Sequence, residues 1–137
     1  MKENAFFFIV LVFILCSCSK KEINWGAWSD NIKLSTKKAE FNALGDSITI
    51  TTKGIGWWIS AVAVTSVDTL IFFNFSGINM MATNYVIKQN CFDVEHPDNH
   101  TLFIKVDANP YNVKRIIEVG LQAGDYGTGV TIAQKSK

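Results

Sequence analysis

The sequence has almost no charge imbalance. It contains 13 lysine and arginine residues against 12 aspartate and glutamate residues, which gives a formal net charge of +1. Proteins that bind nucleic acids usually carry a strong basic excess or a basic stripe, and this sequence has neither. Its basic pairs, Lys20-Lys21 and Lys37-Lys38, stand apart from each other. We therefore expect no nucleic-acid partner.

Cysteine is also scarce, with only three residues in the chain. Cys16 and Cys18 lie close to the N-terminus, so Cys91 stands alone in the rest of the sequence. A lone cysteine cannot form an intramolecular disulfide, and the domain must therefore hold together by packing. A nucleophilic role for Cys91 is one alternative, but a free cysteine is more often a small buried side chain, so we expect a buried cysteine in a strand.

The sequence lacks the common catalytic motifs. There is no Gly-x-Ser-x-Gly elbow and no P-loop, and the glycines of segment 124–129 have the wrong spacing for a dinucleotide site. Segment 93–100 contains two histidines and three carboxylates, but Pro97 disfavours the helix on which His-x-x-x-His spacing binds metals. We expect no enzyme activity, no cofactor and no metal site.

One apolar run is present at the N-terminus, from Ala5 to Leu15. It is shorter than the ~20 residues that a membrane-spanning helix needs. A basic start followed by a short apolar core is typical of an export peptide. The sequence therefore predicts a signal peptide rather than a transmembrane helix.

The residues after this run match a bacterial lipobox. Leu15 and Ser17 stand three and one positions before Cys18, which places small or aliphatic residues where the cut requires them. Cys16 is the alternative acceptor, although a leucine precedes it, and an ordinary secretory cleavage nearby is a second alternative. We predict a lipoprotein signal peptide over residues 1–17, lipidation of Cys18, and attachment to the outer membrane through the N-terminal lipid.

Removal of residues 1–17 leaves about 120 residues, enough for one domain with a modest core. Residues 18–31 are polar and predict a lipidated tether. Across residues 32–137, short alternating segments are separated by glycine, asparagine and aspartate turns, and no long helical stripe is found. This pattern predicts an all-β domain, an antiparallel β-sandwich of seven to nine strands.

Two features of these strands bear on function. Trp57 and Trp58 are adjacent in a strand, so they must point to opposite sides. Trp57 shares a face with Ile59 and is expected in the core, whereas Trp58 is expected to face outward beside Ser60. The alternative is that an extra hairpin from the following segment covers Trp58. The apolar run Leu70–Phe75 predicts a buried strand, and Tyr85–Glu95 predicts another.

The C-terminal half resembles the BACON domain of Bacteroidetes surface proteins. The resemblance is carried by Val106-Asp107-Ala108-Asn109-Pro110-Tyr111-Asn112-Val113-Lys114-Arg115, by Ile117-Glu118-Val119, and by Val130-Thr131-Ile132-Ala133-Gln134. Trp57-x-Ile59-Ser60 is similar to the upstream tryptophan strand of that family. The resemblance implies an immunoglobulin-like sandwich, of a kind found beside glycan-degrading modules and proposed to bind carbohydrate or mucin.

The sequence departs from that family at two places. Cys91-Phe92-Asp93-Val94 stands where the family usually has a second tryptophan, and segment 65–90 is longer than the family's connection. This surplus predicts an extra hairpin or an unusual loop.

These observations favour a non-catalytic surface lipoprotein that binds glycans, with Trp58, Tyr111 and Tyr126 as the candidate contacts because sugars stack on exposed aromatic rings. The alternative is a lipid-anchored structural or assembly subunit that binds other outer-membrane proteins. For that alternative, the apolar loop residues Ile78, Met80 and Met81 are the candidate contacts.

Overall fold

The computed structural model describes residues 29–67 and 69–137, and within them every regular element is a strand. The predicted leader, Cys18 and most of the tether lie outside the described residues. No helix in the described part of the chain is long and apolar enough to cross a membrane.

Nine strands form two sheets packed face to face. The strands are β1 Lys38–Phe41, β2 Asp46–Thr51, β3 Trp58–Ser66, β4 Thr69–Phe72, β5 Tyr85–Gln89, β6 Phe92–Asp98, β7 Thr101–Val106, β8 Arg115–Ala123 and β9 Tyr126–Gln134. One sheet has the order β1-β9-β8-β3-β4 and the other has the order β2-β7-β6-β5. The predicted all-β, immunoglobulin-like sandwich is confirmed. All strand pairs are antiparallel except β1 and β9, which run parallel.

The core lies between the sheets and follows from strand alternation. On β8, every second residue is buried, as Ile117, Val119 and Leu121 show. Leu102 and Ile104 of β7 are buried in the same alternating manner on the facing sheet. Each such aliphatic side chain contributes about 1.5–3 kcal/mol when it is removed from water. Burial of one face of each sheet therefore fixes the register of the strands and packs the two sheets face to face.

The tryptophan pair behaves as strand geometry requires. Trp57 is buried beside Ile59, and its indole N–H donates to the Thr52 hydroxyl and to the Asn99 carbonyl, both at 3.0 Å. Trp58 begins β3 and is half-buried on the opposite side. The predicted core position of Trp57 is confirmed.

The prediction of a buried strand at Leu70–Phe75 is wrong. The strand is β4, and all four of its residues are exposed. β4 pairs with β3 at the margin of its sheet, and no described strand lies on its other side. Edge position therefore outweighs the apolar composition of the segment, leaving Phe72 69% exposed.

The surplus segment continues as a connection between the sheets. Phe73 turns inward, where its ring meets the Phe92 ring edge-on at a centroid distance of 4.9 Å. Ile78 and Met80 then pack against the core, whereas Met81 is 72% exposed. The proposed partner loop is therefore corrected, because packing of Ile78 and Met80 on the core leaves only Met81 open to solvent.

The single strand predicted over Tyr85–Glu95 is divided in two. β5 ends at Gln89 and β6 begins at Phe92, so Cys91 lies in the tight turn between them. The prediction of a buried strand cysteine is wrong, since Cys91 is only half-buried in this turn.

A buried polar network ties the end of β7 to the start of β8 and the end of β9. The Arg115 guanidinium donates to the Gln134 side-chain oxygen at 2.9 and 2.6 Å and to the Asp107 carbonyl at 2.7 Å. The Gln134 amide donates to the same Asp107 carbonyl at 2.9 Å. Arg115 and Gln134 are 5% and 0% exposed, so the Nε and Nη2 groups of a buried charge are held by fixed acceptors.

Asn109 makes a second set of hydrogen bonds in the following turn. Its side-chain amide donates to the Val113 carbonyl at 2.8 Å and to the Lys135 carbonyl at 3.1 Å, and its backbone N–H donates to Ala43. The residue is only 2% exposed. Asn109 therefore joins the turn before β8 to the chain leaving β9.

We expect Asn109→Ala to lower the free energy of unfolding by about 1–3 kcal/mol, because the two carbonyls that accept from its buried side-chain amide lose their donor. Urea denaturation measures this change. Asn112→Ala, at an exposed position of the same turn, is the matched control and is expected to stay within about 0.5 kcal/mol of wild type. Equal effects of the two substitutions would contradict the structural role of Asn109.

Candidate functional site

Trp58 lies on the outer face of the five-stranded sheet. It pairs with Gln122 of β8, which in turn pairs with Gly127 of β9. Ser60 is exposed on the same side of β3, where a β-bulge follows Ile59. We name the surface formed by Trp58, Ser60, Gly120, Gln122 and Gly127 the Trp58 face.

Two of the residues beside the Trp58 ring are glycines. Gly120 and Gly127 carry no side chains, and a β-carbon on Gly120 would come within 3.1 Å of the Ser60 hydroxyl. One N–H of the Gln122 amide donates to the Gly124 carbonyl at 3.0 Å, which holds the amide in position. The result is a partly buried aromatic ring bordered by a hydroxyl, an amide and two glycines.

Tyr126 does not join this surface. It is the first residue of β9 rather than a free turn residue, and it pairs with Ala123. Ala123 is buried, and Tyr126 is half-buried with its side chain packed against the core. Its side chain therefore belongs to the inner side of the sheet, opposite the Trp58 face.

Tyr111 lies at the other end of the molecule. Its ring is 61% exposed in the turn that precedes Arg115. Arg115 and Gln122 are the positions on β8 nearest to Tyr111 and Trp58, and they are seven residues apart, or roughly 23 Å along a strand. The three aromatic residues therefore cannot contact one small ligand together.

Tyr111 instead borders a cleft of about 340 Å³ beside β4. The cleft combines apolar groups with one thiol and a few polar groups. Its lining residues are Val64, Ser66, Ile71, Asn90, Cys91, Ala108, Pro110, Tyr111 and Arg115. We name it the Tyr111 cleft. The sequence pointed to Tyr111 as a contact but gave no indication of Ile71 as its neighbour.

The chemistry of the Tyr111 cleft does not favour a nucleophilic thiol. Burial raises the pKa of Cys91 above its usual value, and the nearby Arg115 charge offsets only part of that shift. The thiol is therefore protonated at neutral pH, when the thiolate would be the reactive form. Cys91 contributes apolar surface to the cleft.

The two histidines of segment 93–100 do not converge. His96 is buried, stacked on the Tyr85 ring at 5.0 Å and edge-on to the Trp57 ring at 4.2 Å. Nδ1 of His100 instead faces the Thr52 carbonyl at 3.1 Å. The described residues contain no group of three or more metal-ligand side chains.

His96 has no hydrogen-bond partner for either ring nitrogen among the described residues. Burial lowers its pKa below the usual value, and the nearby Asp98 charge opposes this shift only in part. The folded protein therefore holds His96 neutral, in a pocket where a charged imidazolium would be costly.

We expect the thermal midpoint to fall as pH is lowered from about 7.5 to about 5.5. The unfolded chain binds a proton at His96 near pH 6.5, before the folded chain does, so acid favours unfolding. His96→Phe should flatten this dependence, while His100→Gln should leave it in place. An unchanged pH dependence in His96→Phe would contradict the assignment.

Comparison with known proteins gives a fold and no family. No family model and no curated protein matches the sequence. An NMR structure of a protein from Bacteroides thetaiotaomicron is similar, with a TM-score of 0.61 and 19% identity over 89% of this chain and 98% of that chain. Murine CRIg is matched at 10% identity over 77% of this chain and 96% of that one, with a TM-score of 0.34. The first similarity supports the sandwich fold alone.

Proposed function

We propose that this protein is a non-catalytic, lipid-anchored module that binds glycans through the Trp58 face. The observation that carries the proposal is a partly buried tryptophan on the outer face of the sheet, beside two glycines, an exposed hydroxyl and an amide. An aromatic face accepts the apolar C–H surface of a sugar ring, and Gly127 adds no side chain beside it.

The polar groups around Trp58 suit the same ligand class. Ser60 is exposed and supplies a hydroxyl, and Gln122 supplies an amide held by its bond to Gly124. Both groups donate and accept hydrogen bonds, as recognition of sugar hydroxyls requires. They project from adjacent strands of a rigid sheet, so little conformational entropy is lost when they bind.

The anchor is part of the proposal. Lipidation at Cys18 would place the sandwich at the outer membrane on a tether that ends near residue 31, with the Trp58 face free to meet extended glycans. The sequence resemblance to BACON domains also supports a carbohydrate or mucin ligand.

We expect Trp58→Ala to weaken binding to a mucin-glycan array about tenfold or more, because loss of the stacked ring removes about 1.4 kcal/mol or more of contact energy. Tyr111→Ala is the matched control, since Tyr111 is an exposed aromatic at the far end of the sandwich. The thermal midpoint of each variant reports whether it is folded. Retention of glycans by a folded Trp58→Ala protein would contradict the proposal.

We expect Cys18→Ala to release the protein from the membrane fraction, because the acylated thiol is lost. Cell fractionation of the full-length chain measures the distribution. Cys16→Ala serves as the matched control and is expected to remain in the membrane fraction. Membrane retention of Cys18→Ala together with release of Cys16→Ala would move the anchor to Cys16.

A further inference from the structure

The outer edge of β4 presents backbone groups that no described strand pairs. The N–H of Phe73 donates to the Val62 carbonyl of β3 at 3.0 Å, immediately after β4 ends. Residues alternate in an antiparallel ladder, so Ile71 also bonds toward β3. The N–H and C=O groups of Leu70 and Phe72 therefore point to the open edge.

β4 also lacks the devices that usually protect an edge strand, such as charges, prolines and bulges. The other three edge strands each contain charged residues, among them Lys38 in β1, Asp46 in β2 and Lys88 in β5. The β4 sequence is Thr-Leu-Ile-Phe, and its three apolar residues are 53%, 49% and 69% exposed in chain order. Among the described edges, this one alone is both apolar and uncharged.

The Tyr111 cleft adjoins this edge and shares one residue with it. Ile71 pairs with Val64, and both side chains line the cleft on the inner side of the sheet. A residue placed opposite Ile71 in an added strand would project to the same side. The cleft volume of about 340 Å³ leaves room for one apolar or aromatic side chain.

The charged residues near the cleft indicate which charge is favoured in a strand that pairs with β4. No aspartate or glutamate lines the cleft, and Arg115 is one of its lining residues. Lys137 lies close by, since its backbone N–H donates to the Tyr111 carbonyl at 3.0 Å. This setting favours an acidic residue next to the apolar side chain.

We propose that β4 binds an extended strand of another protein by strand addition. The backbone of that strand pairs with Leu70 and Phe72, and one apolar side chain enters the Tyr111 cleft. Main-chain hydrogen bonds supply affinity and the cleft supplies specificity, as in other complexes of this kind.

A second copy of this chain fits the edge less well. In the symmetric register that pairs Leu70 of one copy with Phe72 of the other, Ile71 would lie opposite its own counterpart. That counterpart already lines the cleft of its own protomer, so both clefts would stay unfilled. The proposal therefore commits to a different protein as the partner, and it is independent of glycan binding at the Trp58 face.

The probe is a capped heptapeptide that alternates threonine with valine and phenylalanine and ends in glutamate. It is added to the full-length lipidated protein in detergent micelles, and amide exchange is followed by NMR. We expect exchange at Leu70 and Phe72 to slow about tenfold or more, with little change at Ile71, which is already paired. A peptide with methylated amides at alternate positions cannot form the ladder and should have no effect.

Two variants test the same edge. Leu70→Pro removes an N–H that faces away from β3, and Phe72→Lys adds a protecting charge; each should weaken peptide binding about tenfold. Leu44→Lys, at a position 85% exposed between β1 and β2, is the matched control and should bind normally. Glycan binding should be unchanged in Phe72→Lys.

The proposal is overturned if the peptide leaves the exchange of Leu70 and Phe72 unchanged, or if Phe72→Lys binds it as wild type does. It is also overturned if these amides are already protected without peptide in a dimeric sample, since a second copy would then occupy the edge.

Discussion

The structure depends on one buried charge. The Arg115 guanidinium lies almost entirely out of water, where an unpaired cation would cost several kcal/mol, so its acceptors must be in place whenever the domain is folded. Those acceptors are the Gln134 side chain and the Asp107 carbonyl. They come from the end of β9 and from the chain just after β7. The hydrogen bonds of the Arg115 side chain therefore fix the relative positions of three segments: the start of β8, the end of β9 and the chain just after β7.

The buried polar residues also carry the sequence resemblance to BACON domains. Asn109, Arg115 and Gln134 belong to the segments that carry it, and all three are buried and hydrogen-bonded to backbone carbonyls or to one another. Their side chains hold backbone groups, so their spacing reports the fold. The Trp58 face is made from residues other than these three, whereas the Tyr111 cleft beside β4 is lined in part by Arg115.

Much of the fold could be predicted because alternation determines burial where a strand has neighbours on both sides. β7 and the Trp57–Trp58 pair follow this rule. β4 does not follow it. The exposure of Leu70 and Phe72 depends on strand order, and no local sequence pattern determines which strand lies at the edge of the sheet. The turn that contains Cys91 could not be predicted either, because it contains neither glycine nor proline. The separation of Tyr111 from Trp58 arises from the antiparallel pairing of β3 with β8, which places the two residues at opposite ends of β8.

A double-mutant cycle with Arg115→Met and Gln134→Met tests the central claim most directly. Both methionine side chains keep apolar volume while they remove the hydrogen bonds. If the network holds the fold, the two residues should be coupled by about 1.5–3 kcal/mol in the free energy of unfolding. Additive effects of the two substitutions would show that each residue stabilises the domain separately, and would contradict the account.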